Sequence, residues 1–474
     1  MLRNDIIDKF ITRLNDTDDV QQMNLYSKQE YEDLLRVVLE VLNENKDASI
    51  NEIREELFKR AGLEQLLTDF YLRDLKAPGA VLSFGTSKYQ EQIVIGNKQE
   101  VDMNSGSFKI NLQPNEADTI YDLASVTKLF TAVSILQLAG KSELSIADKA
   151  SKYLPEFKNL GNITIYDLLT YVPLITRDRI ESAYTIDEAE SYLFSARPKT
   201  RSEFYGTDRY NDIAPMILKY IVEKVTGIPF DQYVKENILE KAGMNNTFVK
   251  VPSYKLNKVA SNNYPIRLLS NGSLSIDQTI PIGNASDKKA VALGQPEGIL
   301  PGHAGLFSTS EDMTKFSKGI ISGLVLHPAL TKEMAKNRTL NDVVISGNII
   351  YNPSYGFLCN SKNHSSTFTD VFPGLSGRSF SQSGWSGTYV AIDPVNDINL
   401  SLLSNRTHNR VINVDPIQSY RLRGTGLVDT SVYGFERRKI TDACMKLALQ
   451  EKMLEELLKD DIVKEDKPKK RILR

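Results

Sequence analysis

The segment 121–132 contains a serine and a lysine that could act together on a carbonyl compound. Ser125 and Lys128 are three positions apart, which places them on one face of a helix. Lysine is almost never buried without a partner, yet this one opens an apolar helix. Burial and the positive end of the helix both predict a lowered pKa for Lys128. Such a lysine could accept the proton of Ser125 and make its hydroxyl a nucleophile.

An S-x-x-K spacing also occurs by chance, so Ser125 could equally be a helix N-cap and Lys128 a surface side chain. A second segment, 204–213, supports the chemical interpretation. It places Tyr210 at the mouth of a helix whose apolar side carries Ile213 and Ile217. A phenol near a lysine can relay a proton. The alternative is a partly buried tyrosine with a satisfied hydroxyl.

A third segment, 380–389, is rich in small residues and leads into a strand. Ser383 and Gly384 are small enough for a substrate carbonyl to approach the backbone there. Backbone N–H groups at such an edge can bind an oxyanion. The alternative is a glycine-rich loop in which Trp385, the single tryptophan, serves only packing.

In this order the three segments resemble the motifs of the serine beta-lactamase and penicillin-binding protein superfamily, namely S-x-x-K, Y-x-N and K-T-G or their variants. The class C-like branch, which includes beta-lactamases, D-alanyl-D-alanine carboxypeptidases, D-amino-acid peptidases and small esterases, is the most similar. The resemblance covers about residues 76–410 and includes the supporting segments 163–170, 223–244 and 301–309.

The resemblance implies a role for each matching residue. Ser125 would be the acylated nucleophile, and Lys128 and Tyr210 would share the role of base. The backbone N–H groups of Ser125 and Trp385 would form the oxyanion hole.

Two positions depart from the family pattern, although Ser383 and Gly384 match it. Asp212 stands where the family usually has asparagine, and Gln382 where it has lysine or histidine. Both changes disfavour anionic ligands such as beta-lactams and peptide C-termini. Tyr171 also replaces a usual histidine.

The histidines predict no metal site and no cofactor. His303 is expected to be a structural, hydrogen-bonded imidazole. His327, His364 and His408 form no ligand set with it.

The order of elements predicts the α+β class, with an antiparallel sheet flanked by helices. Strands open and close the body of the chain, at 80–84, 92–95, 388–392 and 398–403, and helices lie near 125–139, 211–226 and 309–322. This order fits the beta-lactamase/transpeptidase-like fold with a helical subdomain that the resemblance implies.

Three parts follow: an N-terminal helical extension over 1–75, a serine hydrolase domain over 76–434, and a C-terminal helix and tail over 435–474. The extension begins with Ile6, Phe10 and Leu14 at helical spacing and is interpreted as a packing or dimerisation element. A homo-oligomer through these helices is therefore possible. The basic residues 467–474 are interpreted as a solvated tail.

Composition excludes several classes of partner. The 474 residues carry a net charge of −2, which favours neither nucleic acid nor an anionic membrane. The two cysteines, Cys359 and Cys444, form no disulfide framework. No stretch has the length of a signal peptide or a membrane segment, so a cytoplasmic location is expected.

Three functions fit the sequence. The first is a serine hydrolase that acts on a small ester or amide through an acyl-enzyme on Ser125. The second is a penicillin-binding D-alanyl carboxypeptidase or D-amino-acid peptidase with a peptide substrate. The third is a catalytically silent binding protein on the same fold, suggested by Asp212 and Gln382.

Overall fold

The structure, a computed structural model, describes residues 28–45, 48–104, 107–204, 209–269, 274–276, 279–339, 344–346, 349–351, 354–362, 370–412, 433–457 and 469–473. Its strands are β1 Gly79–Gly85, β2 Gln90–Asn104, β3 Ser107–Pro114, β4 Tyr121–Asp122, β5 Leu174–Ile175, β6 Arg197–Pro198, β7 Ile266–Leu268, β8 Leu274–Ile276, β9 Phe307–Ser308, β10 Val344–Ser346, β11 Ile349–Tyr351, β12 Asn360–Ser361, β13 Phe380–Ser383, β14 Tyr389–Asp393, β15 Ile398–Ser404 and β16 Lys469–Leu473.

The α-helices are α1 Lys28–Glu44, α2 Ile50–Arg60, α3 Leu63–Leu67, α4 Lys128–Gly140, α5 Ile165–Leu169, α6 Ile186–Phe194, α7 Arg201–Phe204, α8 Ile213–Thr226, α9 Phe230–Val234, α10 Glu240–Ala242, α11 Lys288–Ala292, α12 Ser310–Ile321, α13 Pro328–Ala335 and α14 Tyr433–Leu457. Wider turns at Thr68–Arg73 and Lys235–Leu239 and tighter turns at Ala124–Thr127, Ala150–Lys152, Ile180–Ser182, Ser253–Lys258 and Gln295–Glu297 connect or extend them.

Strands from both ends of the chain form one sheet. Within the described residues its order is β12-β13-β14-β15-β1-β2-β16, and β3 pairs with β2 beside this path. The pairs are antiparallel except for β16, which runs parallel to β2. The central strand β1 is buried along its whole length, as expected for a strand covered on both faces.

Alternate residues of each central strand point to two different apolar clusters, because side chains alternate across a strand. Val81 and Leu403 join the cluster that contains α4, α8 and α12. Leu82 and Leu402 join the second cluster, with α1, α2, α3 and α14 on the opposite face. The sheet therefore lies between two helical layers.

The helix that carries the lysine is buried because it is apolar on most sides. Leu129, Phe130 and Val133 of α4 are fully buried, and α4 packs against α8. The helix α8 ends at Thr226 and is followed by Gly227, whose φ of 73° is the left-handed conformation common after a helix C-terminus.

The predicted α+β fold is confirmed. The two expected hairpins are the antiparallel pairs β1–β2 and β14–β15, and the expected helices correspond to α4, α8 and α12. The prediction for Ile6, Phe10 and Leu14 lies outside the described residues. Cys359 and Cys444 are both buried and free. No helix among the described residues is long and apolar enough to cross a membrane.

The predicted solvated tail is wrong for Lys469–Leu473. These residues form β16, with Ile472 opposite Val94 of β2. The unpaired edge of β2 offers backbone hydrogen-bonding groups to any nearby strand. Arg471 also lies 2.6 Å from Glu91 and 2.9 Å from Glu55, so the basic charge serves local ion pairs.

Candidate active site

Ser125 lies in the tight turn Ala124–Thr127, immediately before α4. Ala124 has a φ of 45°, a left-handed conformation that is strained for a residue with a side chain. Its N–H donates to Asp122 Oδ1 at 2.9 Å. The other oxygen of this buried carboxylate accepts the N–H and the hydroxyl of Ser286, at 2.8 and 2.6 Å. Asp122 therefore fixes the turn that presents Ser125.

Lys128 is fully buried and reaches the serine directly. Its Nζ lies 2.8 Å from Ser125 Oγ and 2.8 Å from Asp212 Oδ1, and it donates to the carbonyl of His303 at 3.2 Å. It also hydrogen-bonds to Tyr210. Lys128 is therefore buried together with polar partners.

The predicted lowering of the Lys128 pKa is wrong. Burial does lower the pKa of Lys128, but attraction to Asp212 and Tyr210 and the hydrogen bonds to both outweigh it and raise the pKa overall. A carboxylate at Asp212, where the family has a neutral amide, is the main reason. Lys128 is therefore a cation at neutral pH.

Tyr210 lies just before α8, in a group of aromatic rings beside Lys128. The Lys128 Nζ is 4.9 Å from the centre of its ring. The rings of Tyr171 and Tyr355 lie 5.0 and 6.3 Å from it. Gln382 Nε2 approaches the Tyr210 hydroxyl at 3.5 Å. Residues of all three motifs thus meet at one place.

Asp212 is part of an ion-pair network that the sequence motifs do not reveal. Its Oδ2 lies 2.9 Å from the Nζ of Lys289, which is also 3.8 Å from Asp287. Asp287 in turn lies 3.1 Å from His303 Nε2. Burial opposes ionisation of Asp212, but attraction to Lys128, then to His303 and Lys289, lowers the Asp212 pKa well below its usual range.

Three side chains of this network also lie close enough together to hold a metal ion. The ligand atoms of Asp212, Asp287 and His303 lie within 4.8 Å of one another. The ammonium of Lys289 already contacts both carboxylates, so their charge is balanced by a side chain. His303 is fully buried.

The other histidines lie elsewhere. His327 caps α13 through its Nδ1. His408 is buried, and its Nε2 accepts the N–H of Glu100 at 3.0 Å. Burial lowers the pKa of His408 to about 4. His364 lies outside the described residues.

The third motif is brought against the turn of Ser125. A Cβ on Gly384 would lie 2.6 Å from the Leu123 carbonyl oxygen and 3.3 Å from the Ala124 Cβ, so only glycine permits this approach. Ser386 Oγ donates to the Asp122 carbonyl at 2.7 Å, which ties the two segments together.

Arg406 fixes the backbone of the neighbouring Trp385 and Ser386. The Arg406 Nε donates to the Trp385 carbonyl oxygen at 2.8 Å, and the Arg406 backbone N–H donates to the Ser386 carbonyl oxygen at 2.8 Å. Ser383 ends β13 and is partly exposed. The structure therefore brings Ser125, Lys128, Tyr210, Asp212 and Gln382 into one connected group, and it places Gly384, between Ser383 and Trp385, against the turn of Ser125.

Sequence reasoning missed Lys289, Asp287 and Asp122. Lys289 and Asp287 belong to no motif, and no periodic pattern marks them. Asp122 is adjacent to the first motif, and its position before a turn was the only available signal.

Known proteins resemble this chain in sequence. The sequence model of the Beta-lactamase family matches residues 92–420. A putative D-alanyl-D-alanine carboxypeptidase of Escherichia coli (strain K12) is 27% identical over 362 residues, which cover 68% of this chain and 77% of the relative.

Solved structures share the fold. EstCE1, described as a hydrolase with promiscuous acyltransferase activity, matches with a TM-score of 0.58 and 15% identity, over 83% of this chain and 99% of its own. The octameric penicillin-binding protein homologue from Pyrococcus abyssi matches with a TM-score of 0.52 and 21% identity, over 73% of each chain.

Proposed function

This chain belongs to the Beta-lactamase family, and on that premise we propose that it hydrolyses a small ester or amide through an acyl-enzyme on Ser125. The family and its relatives indicate a serine hydrolase-type enzyme. The observation that carries the proposal is the 2.8 Å contact between Lys128 Nζ and Ser125 Oγ, at a buried lysine that also contacts Tyr210.

The proton of Ser125 passes to Tyr210 in this mechanism. Lys128 is charged, so its ammonium cannot accept a proton, but it stabilises the phenolate form of Tyr210. Ser125 Oγ attacks the carbonyl carbon as its proton moves to the phenolate. The tyrosine then protonates the leaving group as the bond to it breaks. Water attacks the acyl-enzyme by the same route, and the freed Ser125 regains its proton.

The oxyanion formed in each step is bound by the backbone N–H groups of Ser125 and Trp385. The close approach of Gly384 to the backbone before Ser125 supports this assignment, because it brings the segment that contains Trp385 against the turn that contains Ser125. A donor of this kind typically contributes about 10²–10³ in kcat.

The charges around the cleft favour neutral substrates. Gln382 supplies no cation at a position where the family has lysine or histidine. The sequence alone suggests that Asp212 adds a free negative charge to the site. It does not act as one in the structure, because Lys128 and Lys289 both contact its carboxylate. Lys289 also contacts Asp287, so the two cations face two carboxylates, and an anionic substrate gains no unpaired cation from them.

A second candidate is a D-alanyl carboxypeptidase or D-amino-acid peptidase. The E. coli relative, a putative D-alanyl-D-alanine carboxypeptidase, favours it, and a peptide substrate would then end in a carboxylate. A catalytically silent binding protein is disfavoured by the contact of Lys128 with Ser125.

A cytoplasmic location and self-association through the N-terminal helices stay predictions. One structural relative is described as octameric.

The decisive experiment replaces the nucleophile. Ser125→Ala should abolish turnover of p-nitrophenyl butyrate and labelling by a fluorophosphonate, because no other serine contacts Lys128 among the described residues. Ser151→Ala, at an exposed serine, should keep both. Mass spectrometry of the labelled parent should place the adduct on Ser125, and an active Ser125→Ala variant of unchanged fold would overturn the proposal.

A further inference from the structure

Lys289 lies in the first turn of α11, outside all three motifs. Asp287 caps this helix, and its Oδ1 accepts the N–H groups of Lys289 and Ala290 at 2.8 and 3.0 Å. The same oxygen lies 3.1 Å from His303 Nε2. The backbone of Lys289 is thus anchored, while its side chain is 30% exposed and extends to Asp212.

Asp212 connects this lysine to the nucleophile. One oxygen lies 2.8 Å from Lys128 Nζ, and the other lies 2.9 Å from Lys289 Nζ. Lys128 contacts Ser125 Oγ at 2.8 Å. A single carboxylate therefore separates two ammonium groups, of which one is buried at the catalytic serine and the other is partly open to solvent.

Two cations face two carboxylates in this group. Lys128 and Lys289 are opposed by Asp212 and Asp287, with Tyr210 and His303 beside them. Burial lowers the pKa of Lys289, but attraction to Asp287 and then Asp212 raises it well above the usual range. Asp212 is held ionised by its cations. These ion pairs therefore persist across the neutral pH range.

We infer that Lys289 determines substrate charge preference: Asp212 and Asp287 occupy its ammonium, which keeps the cleft selective for neutral acyl groups. The inference rests on the proposed serine hydrolase function and extends it to a residue outside the motifs. An asparagine at position 212 would free this ammonium to bind a carboxylate on the substrate. Loss of Lys289 would instead leave Asp212 with one cation and make the cleft more negative.

A purely structural role for Lys289 makes a different prediction. If the lysine only held α11 in place, its removal would lower activity toward neutral and anionic substrates alike. The ratio of the two activities separates these explanations, because changes in folding or in the catalytic groups affect both substrates.

The test uses two esters that share a leaving group, p-nitrophenyl butyrate and the anionic mono-p-nitrophenyl succinate. The ratio of kcat/KM for the anionic to the neutral ester is measured in the parent, Asp212→Asn, Lys289→Met and the double variant. We expect Asp212→Asn to raise the ratio about tenfold or more, a change of about 1.4 kcal/mol in transition-state stabilisation. We expect Lys289→Met to lower the ratio, and the double variant to lose the gain.

Two controls isolate the position of the charge. Lys289→Arg should show the parental ratio, because arginine keeps a cation at this position. Lys288→Met removes the same charge from the exposed neighbouring residue and should leave the ratio unchanged. If Asp212→Asn does not fold, the comparison of Lys289→Met with Lys289→Arg still decides whether the cation at position 289 affects the ratio.

The outcomes are separable. A ratio that does not change in Lys289→Met, or a double variant that keeps the full gain of Asp212→Asn, overturns the role of Lys289. Fluorophosphonate labelling of Ser125 is measured in the same samples. Absence of labelling in the parent would instead overturn the proposed function itself.

Discussion

At the residue scale, the site depends on one ammonium shared by several acceptors. Lys128 contacts Ser125 and Asp212 at 2.8 Å each and also hydrogen-bonds to Tyr210. Its raised pKa makes it a fixed cation, which in the proposed mechanism positions Ser125 and supports Tyr210 as the base. On that mechanism the two side chains serve one proton path.

Lys128→Ala and Tyr210→Phe should each slow acylation by about a hundredfold or more, the usual size of a lost general base. Because both act on one path, the double variant should be little slower than either single variant. Single-turnover assays with p-nitrophenyl butyrate measure this. Lys141→Ala and Tyr184→Phe, both at exposed positions, serve as controls, and losses that multiply would contradict a shared path.

At the scale of elements, α14 carries an acid that titrates near neutral pH. Burial raises the pKa of Asp442 to about 6, although Arg438 and Arg437 oppose this and Asp370 adds to it. The folded state thus holds this proton more tightly than the unfolded chain, whose aspartates titrate near 3.9. The associated stability is present below about pH 4 and is lost as the pH rises through 6.

Asp442→Asn should remove the loss of stability that the parent shows as the pH rises through 6. We expect the free energy of unfolding to exceed the parental value at pH 7.5 by about 1 kcal/mol, once solvent screening is allowed for. The difference should disappear near pH 4. Urea unfolding at the two pH values measures it, with the exposed Asp74→Asn as control. An equal effect at both pH values would contradict the assigned pKa.

At the scale of the whole molecule, the described N-terminal helices belong to the body of the fold. Ile53 and Leu57 of α2 share an apolar cluster with the sheet and α14. Arg54 is paired with Glu451 of α14, its Nε donating to Oε2 at 2.8 Å. Unfolding of these helices would therefore expose one face of the central sheet.

Ile53→Ala should lower the free energy of unfolding by about 2–5 kcal/mol, as expected for a truncated core residue, with little effect on kcat. Loss of esterase activity in urea should coincide with loss of helical circular dichroism, since the layers share one sheet. Ile110→Ala, at a residue that is 84% exposed, is the control. Activity that survives after the first loss of helix would show that the N-terminal helices unfold independently.

The sequence by itself identified the candidate chemistry-bearing residues and predicted the main elements. Ser125, Lys128, Tyr210 and Gln382 stand in local motifs, and the strands and helices around them have clear apolar periodicity, so short-range patterns were sufficient. The family and the α+β class followed from the order of those motifs and elements.

Only the tertiary structure decided the charge of the site and the packing of the chain ends. Lys128 and Asp212 come from distant parts of the chain, and their contact reverses the predicted pKa change of Lys128. The strand β16 likewise depends on the free edge of β2. Coulombic attraction and strand pairing act through space, so no local pattern in the sequence reveals which charges or edges meet.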